Sequence, residues 1–541
     1  MRIPVLIVVA AASNFAAADD VLPRVALVKT EAAPTPVAPG LEHRLTVKFH
    51  DDVRARLDDV GRLVSSSGQD LVPLLTALAG DGDIRVGFRP LIGLPQVELV
   101  RIEREAARRS GRGQPDLGGM FIVEVVAEEA ERVAKELHQS DLVEVAYFEP
   151  LGTPPPGWFG GPDECFDIAP LTTSYLDMQG YRGPENGIGI DAAWDHPGGR
   201  GAGVRVADCE YGYRDGHEDL CDVVSEPGIE VHPTVIAYGW HEHGTAVLGE
   251  MVGGDNGYGV TGLVPDAQAS FFFEWSTAGR RRVEAITAAI ASVDAGDVVL
   301  LEMQIFGPGG NFGPAELDPM VWTVTRLGVD RGVCVVAAAG NGNQDLDSGP
   351  YAEYRGRGDS GAIIVGASSA DGRRDKMGFS TFGSRVNVHG WGERVFTAGY
   401  GDFVRVGGDA DQGYTAFFSG TSSASPIVAS AVVSLQGIHR AAAGAPIEPA
   451  SLRQLLVDTG KPQGAGGHIG PLPDMAAAVD ELLGSLCVVD IDGDGQLTVF
   501  DFLAFQTAFD ARDPLVDFDG DGRWTIFDFL AFQTAFDAGC G

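Results

Sequence analysis

Positive charge is scarce in this chain. Against 76 Asp and Glu stand only 39 Lys and Arg, a formal net charge of −37 over 541 residues. That balance excludes the basic surface a nucleic-acid backbone requires; it suits a soluble protein and supplies carboxylates for cations. Cysteine is sparse too. Six cysteines in a chain of this length are too few to build a scaffold from disulfides. After the N-terminal segment no apolar run is long enough to span a bilayer. What the chain does have is 44% apolar residues, enough for a large core, and 74 glycines, which suit tight turns and close backbone approaches. At roughly 100–200 residues per domain, the length allows about three or four domains.

The first residues combine a basic Arg2, an apolar stretch from Ile3 to Ala12 and the small residues Ala16, Ala17 and Ala18. This pattern predicts a signal peptide over 1–18 and a secreted, extracellular or cell-surface protein. Secretion permits disulfides. Cys487 and Cys540 bracket the last segment and are the best-supported pair, and Cys209 and Cys221 could close one loop. Cys334, in the apolar run GVCVVAAAG, is expected as a buried thiol.

Three regions follow. A Pro/Ala-rich linker (31–40) leads to a strand at 45–50, a strand at 121–127, an amphipathic helix at 128–141 and a strand at 143–150, a small α+β unit within 19–155. It ends in the Pro/Gly-rich stretch 151–162. Across 156–485 short apolar runs alternate with helical stretches, including helices near 280–294 and 316–330, which predicts a mostly parallel sheet covered on both faces. In such sheets functional residues gather at the carboxyl ends of the strands. The last region, 486–541, contains FDFLAFQTAFDA twice, at 500–511 and 527–538.

Three motifs carry chemistry. GVRVADCEYGYRDGHEDL (203–220) delivers Asp208 at the end of an apolar strand, HEHGTAVLGEMVGG (241–254) opens a helix with His243, and SGTSSASPIVASAVVSL (419–435) places Ser422 at the start of another. HGTAVLG resembles the subtilase histidine motif, GTSSASPIVAS resembles the subtilase serine motif, and AAAGNGN (337–343) resembles the segment that carries the oxyanion asparagine, here Asn341. The order Asp, His, Asn, Ser also matches that family. The resemblance implies an α/β, subtilisin-like three-layer fold. It also implies a secreted serine endopeptidase acting on protein or peptide substrates, with Asp208, His243 and Ser422 as triad and Asn341 as oxyanion donor. In the family the Asp is followed by Thr or Ser and then Gly. Here Cys209 and Glu210 follow Asp208, and Glu210 is the second candidate for the acid, set below Asp208 on strand geometry. His241 is read as a loop residue or cleft neighbour. The segment 297–310 takes the place of the family's substrate-pairing strand, with Glu302 and Gln304 unusual there.

By position and by its strand–helix–strand ending, the 45–150 unit resembles a subtilase propeptide, an intramolecular inhibitor. In the tail, Asp490, Asp492, Asp494, Thr498 and Asp501 fall at EF-hand loop positions 1, 3, 5, 9 and 12, with the Gln496 carbonyl at 7 and Gly495 at 6. Asp517, Asp519, Asp521, Thr525 and Asp528, with the Arg523 carbonyl and Gly522, repeat the pattern. One short helix after each loop and Asp at position 12 resemble a tandem dockerin module. That resemblance implies a small all-α unit that binds Ca2+, with Phe502, Leu503, Phe505, Phe509 and their copies joining its halves, and a cohesin-like or cell-surface partner. No organic cofactor is expected. Two other readings compete with the protease: a catalytically silent subtilase-like binding module tethered through the tail, and a serine-carboxyl peptidase, against which the HGT motif argues.

Overall fold

The computed structural model describes residues 22–30, 32–36, 42–80, 86–151, 169–220, 222–486, 489–492 and 496–539. The expected signal segment, most of 151–162, Cys165, Cys221, Cys487, Cys540, Asp494 and Gly495 lie outside the described residues.

In the N-terminal unit, strands β1 (His43–Phe49), β2 (Gly87–Pro90), β3 (Met120–Glu124) and β4 (Val143–Pro150) form an antiparallel sheet in the order β2-β3-β1-β4. Helices α1 (Val72–Ala79) and α3 (Ala130–Gln139) cover one face, where Val47, Phe49, Phe121, Val133 and Leu137 share a core. The helix α2 (Gln96–Ser110) and strand β2 were not read from the sequence. Among the 15 residues of α2 only Leu99, Ile102 and Ala106 are buried, a stripe too thin to stand out beside its Arg and Glu residues.

The central region is a parallel sheet of seven strands. In chain order they are β5 (Arg205–Glu210), β6 (Val224–Ser225), β7 (Gln268–Phe273), β8 (Val298–Leu301), β11 (Cys334–Ala338), β12 (Ile363–Ser368) and β13 (Val388–Trp391), and in space β13-β12-β11-β8-β5-β7-β6. Between β8 and β11 a two-stranded hairpin intervenes, β9 (Gln304–Phe306) with β10 (Phe312–Pro314). The segment expected as one substrate-pairing strand is thus a sheet strand followed by half of a hairpin, closed by an edge-on Phe306–Phe312 contact.

Runs such as VVLL and CVVAA are apolar at every position because both faces of the sheet are buried. Strand alternation divides them. Val206, Val298, Leu300 and Val336 face one core with helices α4 (His241–Val252) and α7 (Thr421–Ala443). Ala207, Cys209, Val299, Leu301 and Val335 face the other, with α5 (Arg282–Ser292) and α6 (Pro319–Asp330). The same parity corrects the expected Cys209–Cys221 loop closure: Cys209 is a free thiol turned into the α5/α6 core. Cys334 is a free, buried thiol, as expected.

The N-terminal unit rests on α5 and α6. Leu99 and Ile102 of α2, with Met120, Ile122 and Val145, belong to the same apolar cluster as Ile286, Ile290, Met320 and Leu327. Polar contacts edge this junction: Arg331 to Glu105 at 2.8 Å, Gln114 to Asp330 at 3.1 Å, and the Tyr147 hydroxyl donating to Asp318 at 2.6 Å. Asp318 is also the N-cap of α6, accepting from the Met320 and Val321 amides, with Pro319 in the first turn.

Leu300 lies in the central strand β8 and is fully buried between the sheet and the α4/α7 layer. Leu300→Ala removes about 2–5 kcal/mol, to be read as a lowered urea midpoint at unchanged denaturant slope.

Candidate active site

Strand β5 ends at Glu210, and α4 begins over that end. His243, in the first turn of α4, places its Nδ1 2.5 Å from Glu210 Oε2. This contact requires the helix and strand to approach closely, and Gly244 permits it. A Cβ on Gly244 would stand 2.3 Å from the Gly212 carbonyl and 2.6 Å from Glu210 Oε1, so the glycine of the His-Gly-Thr motif is fixed by the acid it faces. The His243 ring also meets Phe418 edge-on, at 5.4 Å between centroids.

The carboxylate that meets His243 is therefore that of Glu210, not Asp208. Asp208 sits two residues deeper in β5, 1% exposed, and neither of its oxygens has a hydrogen-bond partner among the described residues. The strand objection to Glu210 fails because residues two apart lie on one face; the strand simply runs on to Glu210. A signal was present: a glycine two residues past the acid occurs at Glu210-Tyr211-Gly212 and not after Asp208. Glu for Asp adds a methylene of reach, and the register Glu210↔Phe273 keeps the longer side chain at the sheet's end.

His241 is likewise not a loop or cleft residue. It is buried in the first turn of α4, its Nε2 2.9 Å from Arg214, whose guanidinium also holds Glu242 at 2.5 Å and Asp411 at 3.1 Å.

Ser422 stands in the first turn of α7, where backbone N–H groups have no intrahelical partner. The helix starts at Gly420, whose φ of +114° is a glycine conformation. Asn341 follows β11 and is clamped to the same turn: its Oδ1 accepts from the Thr421 amide at 2.8 Å and the Thr421 hydroxyl at 3.1 Å. Its own amide donates to Gln304 Oε1 at 2.9 Å. With Oδ1 so engaged, the Nδ2 end is the one turned to the site. A Cβ built on Gly420 would lie 3.2 Å from Asn341 Nδ2, 3.5 Å from its Oδ1 and 3.6 Å from the Ser422 amide nitrogen, so the Asn341 carboxamide stands beside the start of the Ser422 helix. Thr421 lies inside the serine motif and Gln304 in none; the sequence alone does not show that both hold Asn341.

Burial shapes the charges. It pushes the Glu210 carboxyl well up, with the field of Glu274 adding to it. It holds the His243 imidazole below its ordinary value, against the fields of Glu302 and Glu274. His243 and Ser422 are 8% and 9% exposed.

The tail repeats its geometry as it repeats its sequence. Thr498 and Thr525 cap helices α8 (Val499–Ala511) and α9 (Ile526–Ala538), each in a reciprocal box with Asp501 or Asp528. Carboxylate oxygens of Asp490, Asp492 and Asp501 lie within 4.8 Å of one another, as do those of Asp517, Asp519 and Asp521. Gly522, at φ +74°, donates its amide to Asp517 Oδ2 at 2.9 Å, while Asp517 Oδ1 is buried with no partner among the described residues. Such a donor set, all oxygen and flexible, suits a hard divalent cation. Phe502, Phe505 and Phe532 join the two halves, but Leu503 and Leu530 do not. They are 54% and 49% exposed and lie outside the shared core.

The chain matches the Subtilase family over residues 189–471, just over half its length. It is 26% identical over 266 residues to "Probable subtilase-type serine protease DR_A0283" of Deinococcus radiodurans, covering 47% of this chain and 31% of that protein. It is 28% identical over 238 residues to Subtilisin DY of Bacillus licheniformis (43% of this chain, 77% of that one). Thermitase of Thermoactinomyces vulgaris is 27% identical over 256 residues (47% and 81%). The matched region holds β5, α4, β11 and the start of α7, the elements that carry Glu210, His243, Asn341 and Ser422, and the chain belongs to the subtilase family of serine proteases.

Proposed function

We propose that the chain is a secreted serine endopeptidase with Ser422 as nucleophile, His243 as general base, Glu210 as the acid of the triad, and Asn341 with the Ser422 amide as oxyanion donors. The 2.5 Å contact between His243 and Glu210 carries this reading. Glu210 accepts from Nδ1–H, which leaves Nε2 free to take the Ser422 proton as Oγ attacks the scissile carbonyl. The same proton then passes to the leaving amine, and water repeats the sequence on the acyl-enzyme. Asn341 Nδ2 and the Ser422 N–H hold the negative oxygen of each tetrahedral intermediate.

The N-terminal unit acts in this reading as a prosegment. Its apolar seat on α5 and α6 and the end of strand β4 at Pro150 support cleavage between about Pro150 and Cys165. The tail binds Ca2+ through Asp490, Asp492, Asp494, Thr498, Asp501 and the Gln496 carbonyl. A second ion is held by Asp517, Asp519, Asp521, Thr525, Asp528 and the Arg523 carbonyl. Exposed Val499, Phe500 and Leu503, repeated as Ile526, Phe527 and Leu530, support docking to a cohesin-like or cell-surface partner. Among the described residues no helix is long and apolar enough to cross a membrane.

Glu210→Gln keeps the shape but favours the wrong imidazole tautomer, so kcat falls about 10⁴-fold. Asp208→Asn costs less than about tenfold, because that carboxyl does not touch the imidazole. Peptide hydrolysis by the two purified variants decides between the acids: equal losses, or the reverse order, return the role to Asp208. A fluorophosphonate probe should label Ser422 in the wild type and nothing in Ser422→Ala, whose N-terminal sequencing should show an unprocessed chain. An unlabelled wild type leaves the silent binding module. Calorimetric Ca2+ titration of the full-length Ser422→Ala chain should lose one tail site on Asp490→Asn and the other on Asp517→Asn; unchanged stoichiometry in both removes calcium from the tail.

A further inference from the structure

Three acids lie together on the catalytic face of the sheet. Asp208 and Glu210 share one side of β5, and the Glu302 amide bonds the Cys209 carbonyl at 3.3 Å, which continues the β5–β8 ladder and sets Glu302 beside Glu210. From α4 come His243 and, two turns later, Glu250; from α7 comes Ser425; Glu274 follows β7. All five carboxyls are at most 5% exposed. Arg282 pairs with Glu274 at 2.7 Å, but among the described residues no Lys or Arg forms an ion pair with Asp208, Glu210, Glu250 or Glu302. Several carboxylates without cations in a dry layer cannot all be charged.

One position shows where a proton must be. The Ser425 Oγ lies 2.7 Å from the Thr421 carbonyl oxygen and 2.5 Å from Glu302 Oε1. A hydroxyl has a single hydrogen, and a carbonyl can only accept. If Ser425 donates to Thr421, the shorter contact needs its hydrogen from Glu302. An ionised Glu302 would instead leave two acceptors on one hydrogen, with lone pairs opposed across whichever contact, 2.5 Å or 2.7 Å, goes without it. We propose that Glu302 is held as a neutral carboxylic acid that donates to Ser425, and that this hydrogen bond positions the first turn of α7, which carries Ser422. Burial, first, pushes its carboxyl well up against the opposing Ser425 contact; the fields of Asp208 and Glu210 add to the rise, and His243 opposes it. The chain of donors runs from Glu302 to Ser425 and from Ser425 to the Thr421 carbonyl. The Thr421 amide and hydroxyl then hold Asn341, so one proton on Glu302 ties β8 to both sides of the oxyanion site.

The protonation is independent of the protease reading; its catalytic consequence rests on it. Ionisation of Glu302 at high pH would leave Ser425 one hydrogen for two acceptors and loosen the Thr421 turn. A carboxamide at this position would donate at every pH, so the Glu302→Gln variant separates the two ideas. Infrared difference spectra of the full chain at pH 7, wild type minus Glu302→Gln, should show the carbonyl stretch of a protonated carboxyl, moved by D2O and shifted in frequency by Ser425→Ala. No such band means that Glu302 is ionised and overturns the proposal, whatever the activity. For positioning, the alkaline limb of kcat should move up by at least one pH unit in Glu302→Gln. Glu302→Leu, which has no donor, should fall about tenfold or more below Glu302→Gln in kcat at pH 7. A protonated band without either kinetic effect overturns the positioning role. Failure of the wild type to react with a fluorophosphonate would sink the protease reading and leave the infrared result standing.

Discussion

The junction between Glu210 and His243 is the constraint around which the catalytic half is arranged. It joins the end of a central strand to the first turn of a helix, and both partners are nearly sealed from water. The approach works only because residue 244 has no side chain to strike the Gly212 carbonyl. The Ser422 helix packs beside α4, across β8, β11, β12 and β13. Small residues in its first turns, Ser423, Ala424 and Ser425, all fully buried, let it come down onto the sheet. Asn341 then needs no separate support, since Thr421 orients it from α7 and Gln304 from the hairpin strand β9.

That arrangement sets catalytic geometry against solvation. An apolar layer containing Val206, Leu300, Val336 and many residues of α4 and α7 also contains Asp208, Glu250 and Glu302, where both oxygens of the first two and Oε2 of Glu302 find no partner among the described residues. Removing a carboxylate from water costs several kcal/mol unless it is paired or neutralised. Neutralisation is the less costly course here, and it has a sign. A carboxyl pushed up in the folded state binds its proton there when the unfolded chain has already lost it. Each such group therefore withdraws stability as pH rises from the ordinary carboxylate range toward its folded value. Asp208, Glu250 and Glu302 all shift in that direction, with burial the first cause in each. The catalytic face is thus expected to be firmest in mild acid, while His243, held below its ordinary value by burial, keeps its neutral form as pH falls.

The sequence was most readable where one residue type serves one local need. Ser422, His243 and Asn341 sit in short motifs whose small neighbours are required within a few residues, and the alternation of apolar runs with helices pointed to the parallel sheet. It was least readable where the requirement is between elements. Whether Asp208 or Glu210 reaches the imidazole depends on how far β5 runs before the chain turns. Glu302 looked merely odd because its partner, Ser425, arrives from a helix more than a hundred residues later. The hidden helix α2 follows the same logic: it keeps a polar outer face and spends only three buried residues on its neighbours. In the tail, the repeat correctly marked the Phe residues that meet across the two halves, but a repeat preserves inward and outward positions alike, so Leu503 and Leu530 looked equivalent to them.

The two faces of the large sheet divide the labour of the chain. The α4/α7 face holds the reacting groups, and every residue added to it must respect the close approach at Gly244. The α5/α6 face carries no such restriction and can be extended. The N-terminal unit extends it: its sheet and α2 lie against α5 and α6, and Leu99, Ile102, Ile122 and Val145 join the cluster containing Ala207, Val299 and Val335. One continuous apolar layer therefore runs from the N-terminal sheet, through two helices, to the back of strand β5. Its front face, one residue out of phase, carries Asp208 and Glu210. Seating the N-terminal unit buries apolar surface of α5 and α6 that would otherwise face water, at roughly 25 cal/mol per Å². Parity along β5 thus does two things at once: it keeps Cys209 in the layer that the N-terminal unit completes, and it turns Glu210 toward His243.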